Sequence, residues 1–127
     1  MAVTLTTAAR NAAADAVVDL LDGGTPGDSA GDIAFSTSAP ATLCICPLSN
    51  PAFGAASTGV ATAAAITQGT VATAGTIALA LFRNRANTEI FRCAVGTSGS
   101  DINLSSVAVS VSDTIDVTSL TYTQPAS

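Results

Sequence analysis

The chain has no histidine, no lysine and no tryptophan, and only four arginines stand against its nine acids. Each absence removes a class of chemistry. Without imidazole there is no neutral-pH base, no Ser-His or Cys-His nucleophile pair and no histidine metal ligand. Without lysine there is no Schiff base, no Walker lysine and no Ser-Lys dyad. Charged residues make up 10% of the sequence, against about a quarter in ordinary soluble domains. No apolar run approaches the roughly 18 residues that a membrane helix needs, and the stretch over residues 64–80 is broken by Thr, Gln and Gly. An enzyme is hard to build from this inventory.

What is present is small. Alanine occurs 26 times, threonine 18 and serine 13, so much of the 48% hydrophobic content is alanine, and aromatics reach only 4%. The chain still carries too much Val, Ile and Leu, and too little charge, for a disordered tail. At 127 residues it should bury roughly two thirds of its unfolded surface around one core, and residues 1–127 read as a single domain. Its surface must then be tiled with Thr, Ser and Ala. Such a surface has little side-chain entropy to lose and few charges to desolvate, which favours burial against a partner. A net charge of −5 leaves no basic face for phosphates or anionic lipid, so neither nucleic acid nor a membrane is an expected partner. The N-terminal residues lack a basic stretch followed by an apolar one, and folding in a cytoplasm is expected.

Cys44, Cys46 and Cys93 make an odd set for a disulfide framework. On a strand, Cys44 and Cys46 leave the same face. Three thiolates without histidine are a weak zinc pattern. Buried small hydrophobes are the leading reading, with a disulfide from Cys93 to one of the pair as the alternative. No cofactor and no metal is expected.

One good helix is predicted, over residues 7–22. Thr6 or Thr7 caps it, Ala9, Ala13, Ala16, Val17, Leu20 and Leu21 form its apolar stripe, and Asn11, Asp15, Asp19 and Asp22 face away. Gly23-Gly24 should close it in the left-handed region, with Pro26 just beyond, and residues 23–30 read as a linker. Residues 31–124 read as β: Ile33 and Phe35 on one strand, Leu43 and Ile45 on the next, then a loop around Phe53. Ala/Thr strands follow over 60–67 and 70–73. The strongest strand spans 76–83, with a turn at 84–87 and a hairpin partner over 89–95, and this pair should be central. Val107, Val109 and Val111 alternate. The last strand changes phase between Ile115/Val117 and Leu120/Tyr122, which a bulge near Ser119 would reconcile. The fold class is therefore mainly β, an antiparallel sandwich or barrel of about 7–8 short strands with one N-terminal helix.

Candidate chemical sites are thin. Gly96-x-x-Gly99 is too short for a phosphate loop and reads as a tight turn. Asp28 and Asp32 offer oxygen ligands without the ordered spacing of a calcium loop. Asp113 and Asp116 read as the solvated face of an edge strand rather than an acid–base pair. Asn103-Leu-Ser105 matches a glycosylation sequon, relevant only in a secreted chain. No catalytic constellation emerges. Arg83, Arg85 and Arg92 stand out because charge is so scarce, and guanidinium forks suit an acidic partner surface. Phe53 and the helix are the other contact candidates.

Three stretches carry a family resemblance. They are Leu5-Thr-Thr-Ala-Ala-Arg-Asn-Ala-Ala-Ala-Asp-Ala-Val-Val-Asp-Leu-Leu-Asp-Gly-Gly24, Ser49-Asn-Pro-Ala-Phe-Gly-Ala-Ala-Ser57, and Val95-Gly-Thr-Ser-Gly-Ser-Asp-Ile-Asn-Leu104, together with the Gly-Thr hairpin from Gly75. In order and spacing the chain resembles small structural virion proteins of tailed bacteriophages, some of them capsid decoration (cement) proteins. It departs in having Asn84-Arg-Ala-Asn87 where an acidic Asp-Gly turn is common, and a more hydrophobic second strand around Cys44. The resemblance implies a non-enzymatic protein that binds the major capsid protein on the outer shell as a homo-oligomer, with a trimer suiting a local three-fold. A head–tail connector or tail component is the alternative, and a carbohydrate-binding β-sandwich a more distant one. Localisation would be the virion, assembled in the bacterial host cytoplasm.

Overall fold

In the computed structural model, which describes residues 3–24 and 30–125, eleven short strands follow the helix among the described residues. The helix α1 (Thr7–Asp19) tightens into a 3-10 turn at Leu20–Asp22. Thr6 caps it, its side-chain oxygen accepting from the Ala9 N–H at 3.2 Å. The strands are β1 (Asp32–Ser36), β2 (Thr42–Pro47), β3 (Val60–Thr62), β4 (Gly69–Thr70), β5 (Gly75–Thr76), β6 (Leu79–Arg83), β7 (Glu89–Gly96), β8 (Ile102–Asn103), β9 (Ala108–Val109), β10 (Thr114–Ile115) and β11 (Thr121–Thr123).

Five of them form a sheet in the order β2-β1-β6-β7-β8, curled into a half-barrel. Every pairing in it is antiparallel except the short parallel step from β7 to β8. As the apolar alternation predicts, β6 is the middle strand. Opposite Phe35 of β1 lies Ala80, and opposite Ile33 lies Phe82, so the small Ala80 makes room for the Phe35 ring while Ile33 and Phe82 pack bulk against bulk. Ile33, Phe35, Ala80, Phe82 and Ile77 are all essentially buried, and one continuous core runs from Val18 to Ile115.

The remaining strands form three two-stranded ladders, β10–β4, β11–β3 and β5–β9. The Ala/Thr strands expected over 60–67 and 70–73 shrink to three and two residues, and the strong strand expected over 76–83 to five, with a break at Ile77-Ala78. There the chain changes partners: the Ile77 N–H donates to Val107 and the Ala78 N–H to Ser36. The phase change near Ser119 is likewise not a bulge. Ile115 belongs to a ladder with β4 and Tyr122 to one with β3, so the chain crosses between ladders.

The helix is rotated from its expected orientation by one residue, about 100°. Ala14, Val18 and Leu21 are buried, while Leu20 is 54% exposed. Asn11, Asp15 and Asp22 face inward, not outward. Asp22 accepts from the Ala52 N–H at 2.8 Å, Asp15 from Ala56 at 2.7 Å and Asn11 from Gly59 at 2.7 Å. A polar row on the helix therefore satisfies three backbone donors of the 50–59 loop, while the Gly54 and Ser57 N–H groups donate to Thr62 and Val60 of β3. Burial pushes the Asp22 carboxyl up despite this hydrogen bond. At the loop tip Thr58 and Gly59 both have positive φ, a two-residue turn closing Ser57 on Val60. Glycine suits this positive φ, and a Cβ there would also sit 2.6 Å from the Arg10 guanidinium carbon, so the arginine head would have to move. Gly23 is extended; the positive φ falls on Gly24. Pro26, Asp28 and most of the expected linker lie outside the described residues.

Candidate functional site

A cleft of about 390 Å³ opens between β7 and β11. It touches three consecutive residues of β7, Phe91, Arg92 and Cys93, and four around β11, from Leu120 to Thr123. Successive strand side chains point to opposite faces. A groove meeting consecutive residues therefore runs along the strand edges, not over one face. The ladder patterns agree. The Val95 N–H donates to Ala78, so alternate residues of β7 turn their backbone groups toward β6 and those between turn toward the cleft. Ala94 is one of these, and its N–H meets Asp101 Oδ2 at 3.3 Å. Arg92 is the next. On β11 the bonds from Ala63 to Leu120 and from Gln124 to Gly59 commit the even-numbered residues to β3. Thr121 and Thr123 then turn their backbone groups away from β3, and both line the cleft.

The floor is aromatic. Phe82 and Phe91 stack with centroids 4.5 Å apart, and Tyr122 meets Phe91 at 5.5 Å, tilted by 48°. Phe53 and Ile102 complete it. Four of the five aromatic residues of the chain gather here. The tilted rings form a corner, not the flat platform on which a sugar ring stacks. The rim is polar: Arg92, Asp101, Thr121 and Thr123. Cys93 lines the wall, its thiol pushed up to about 11 by burial and by the Asp101 charge, which keeps it from acting as a thiolate nucleophile near neutrality.

The four expected contact residues are dispersed. Phe53 is 5% exposed and bridges Ala63, so it is a core residue of the cleft floor rather than a protruding contact. Arg83 grips Asp32 through Nε and Nη2 at 2.7 and 2.9 Å, both side chains largely shielded. That pair occupies Asp32, which is therefore not an open calcium ligand. Arg92 forks onto Glu89 at 2.6 Å on the surface, and the contact holds the Glu89 carboxyl below its usual range. Arg85 is half-buried beside the helix end, with its N–H donating to the Gly23 carbonyl. Only Arg92 and Phe53 come together at the cleft. Sequence reasoning missed Phe91, Tyr122 and Asp101. The signal for them is indirect: with five aromatics in the chain, clustering of four marks the place where bulk is concentrated.

Elsewhere, Cys44 and Cys46 are free and buried, packed over Gly69, whose Cβ would lie 2.8 and 2.9 Å from their sulfurs. Burial pushes the Cys46 thiol up to about 12. The expected turn at Gly96–Gly99 is there, with Gly99 at positive φ and the Asn103 side chain accepting from the Ser100 N–H. Asp113 is exposed and closes its own turn by accepting from the Ser110 N–H at 2.8 Å. No family model, no curated protein and no solved structure matches the chain.

Proposed function

We propose that this protein is a non-enzymatic structural component of a bacteriophage virion, a decoration protein that binds the major capsid protein on the outer shell as an oligomer and braces adjacent capsomers. The observation that carries the reading is the pair of open strand edges facing one another across an aromatic floor. Unpaired edges are sites where another chain adds, and folds that work alone cover or charge them. The low-charge Ala/Thr/Ser surface supports the same reading, because it can be buried over a wide area at small desolvation cost. Repetition over a symmetric shell then multiplies a modest contact into avidity. The family resemblance supplies the shell and the trimer. Binding by area suits a chain with so few ionisable groups.

Quantitative mass spectrometry of purified particles tests it. A ratio near one copy per major shell protein is expected. A few to a few dozen copies would move the protein to the connector or tail, and absence from particles would overturn the virion reading.

A further inference from the structure

We infer that the cleft between β7 and β11 receives residues 3–6 of a second copy of this chain, taken up as an added strand. The inference rests on the oligomeric reading above and names the contact that would build the oligomer.

The cleft states what it accepts. Its walls are strand edges whose outward backbone groups, at Arg92 on one side and at Thr121 and Thr123 on the other, call for a polypeptide backbone. Its floor is apolar, and its rim carries the mutually neutralised Arg92–Glu89 pair and one carboxylate, Asp101, which the Ala94 N–H engages. An uncharged strand with apolar side chains on one face and small polar ones on the other is complementary to it.

Residues 3–6, Val-Thr-Leu-Thr, have this pattern. Val3 is 67% exposed, the most exposed large apolar residue among those described. The segment precedes the α1 cap at Thr6, whose backbone is extended at φ −68° and ψ 164°. Four extended residues span about 13 Å, the reach of a β11-length strand with one residue to spare. None of the four lines the cleft of its own chain. They start from a fixed point, since α1 is fastened next to β11 by Arg10 Nε donating to the Gln124 carbonyl at 3.0 Å. An arm that leaves each subunit beside its own open edge, and is taken up by the next subunit's edge, closes into a ring when the rotation closes.

Two variants test this on the full chain by light scattering, with near-ultraviolet circular dichroism as the check on folding. Val3→Asp puts a charge on the arm at an exposed position. Thr121→Pro removes an N–H that faces the cleft and leaves the bonds to β3 in place. The wild-type chain is expected to run as an oligomer and both folded variants to fall to the mass of a single chain. A monomeric wild type, or folded variants that stay oligomeric, would overturn the inference. The contact is then identified in a chain carrying Val3→Cys, Thr121→Cys and Cys93→Ser under mild oxidation. A disulfide joining the introduced thiols of different chains is the expected product, and an intrachain disulfide or none would overturn it. Failure here with full occupancy on particles would leave the decoration reading standing, whereas absence from particles would remove that reading whatever the arm does.

Discussion

The half-barrel sheet and the three small ladders belong to one core, yet they are held by different means. In the sheet, β1 and β6 pair over five residues each and bury Ile33, Phe35 and Phe82 completely or nearly so. In the ladders, pairs run for two or three residues, and what sits between them is fixed by single backbone bonds such as Val71 to Asp113 and Ala63 to Leu120. The difference follows side-chain volume. A strand persists while each inward residue removes apolar area from water, at about 25 cal/mol per Å². Alanine and threonine bring little, so their strands end early and the chain changes partner. The bulky half supplies most of the stability, and the small half contributes short ladders whose edges, like that of β7 at Arg92, have no ladder partner among the described residues.

Phe35→Ala breaks the comparison most severely if it is right. It should cost about 3–5 kcal/mol and leave the chain close to unfolding, read from the denaturation midpoint. Val111→Ala, at an exposed position beyond the β9 ladder, should shift that midpoint hardly at all. Next comes Arg83→Ala, which strands the shielded Asp32 carboxylate; about 2–4 kcal/mol is expected, partly recovered when Asp32→Ala is added. Equal stability of the single and double variants would show that the lone Asp32 carboxylate carries no penalty. Gly69→Ala probes the seam between the halves, where a Cβ meets the Ile45 carbonyl and both cysteine sulfurs. Overpacking of about 1–3 kcal/mol is expected in thermal unfolding.

Apart from the Val111 control, the smallest effect lies in the polar row of the helix. Asp15→Ala should cost about 1 kcal/mol by orphaning the Ala56 N–H. Asp22 adds a pH signature. Its folded pKa is raised, so the folded state holds the proton more tightly and this residue adds stability as pH falls through the folded value, fully so below the ordinary 3.8. Asp22→Asn lacks that gain. Relative to wild type it should therefore look best at neutral pH and worse as pH drops into the carboxylate range, in parallel urea titrations. A constant difference across pH would contradict the burial of this carboxyl.

These two halves were not equally readable from sequence. The central hairpin is legible because Ala80, Phe82 and their partners alternate bulk with a period of two, and because Asn84 begins a turn that its side chain then closes onto Ala86 and Thr88. The cap at Thr6 is legible for the same local reason. The helix face is not. With alanine on every side the apolar stripe is shallow, and the deciding contacts are the side-chain oxygens of Asn11, Asp15 and Asp22 meeting backbone donors from a loop 30 to 48 residues away. The ladder partners are invisible because Ala/Thr stretches specify no register. The cleft shares that fate on one side: Phe91 lies on a predicted strand, but its meeting with Tyr122 depends on the crossing between ladders.

The most direct test of the account is hydrogen exchange at the cleft edges, comparing protein free as dissociated subunits with protein on particles. In dissociated subunits the amides of Arg92, Thr121 and Thr123 should exchange quickly, while those of Phe91 and Tyr122, committed within their ladders, exchange slowly. On particles the first group should become protected to the level of the second. Edge amides that exchange equally fast in both states would contradict the claim that these open strands are the surface through which the protein assembles.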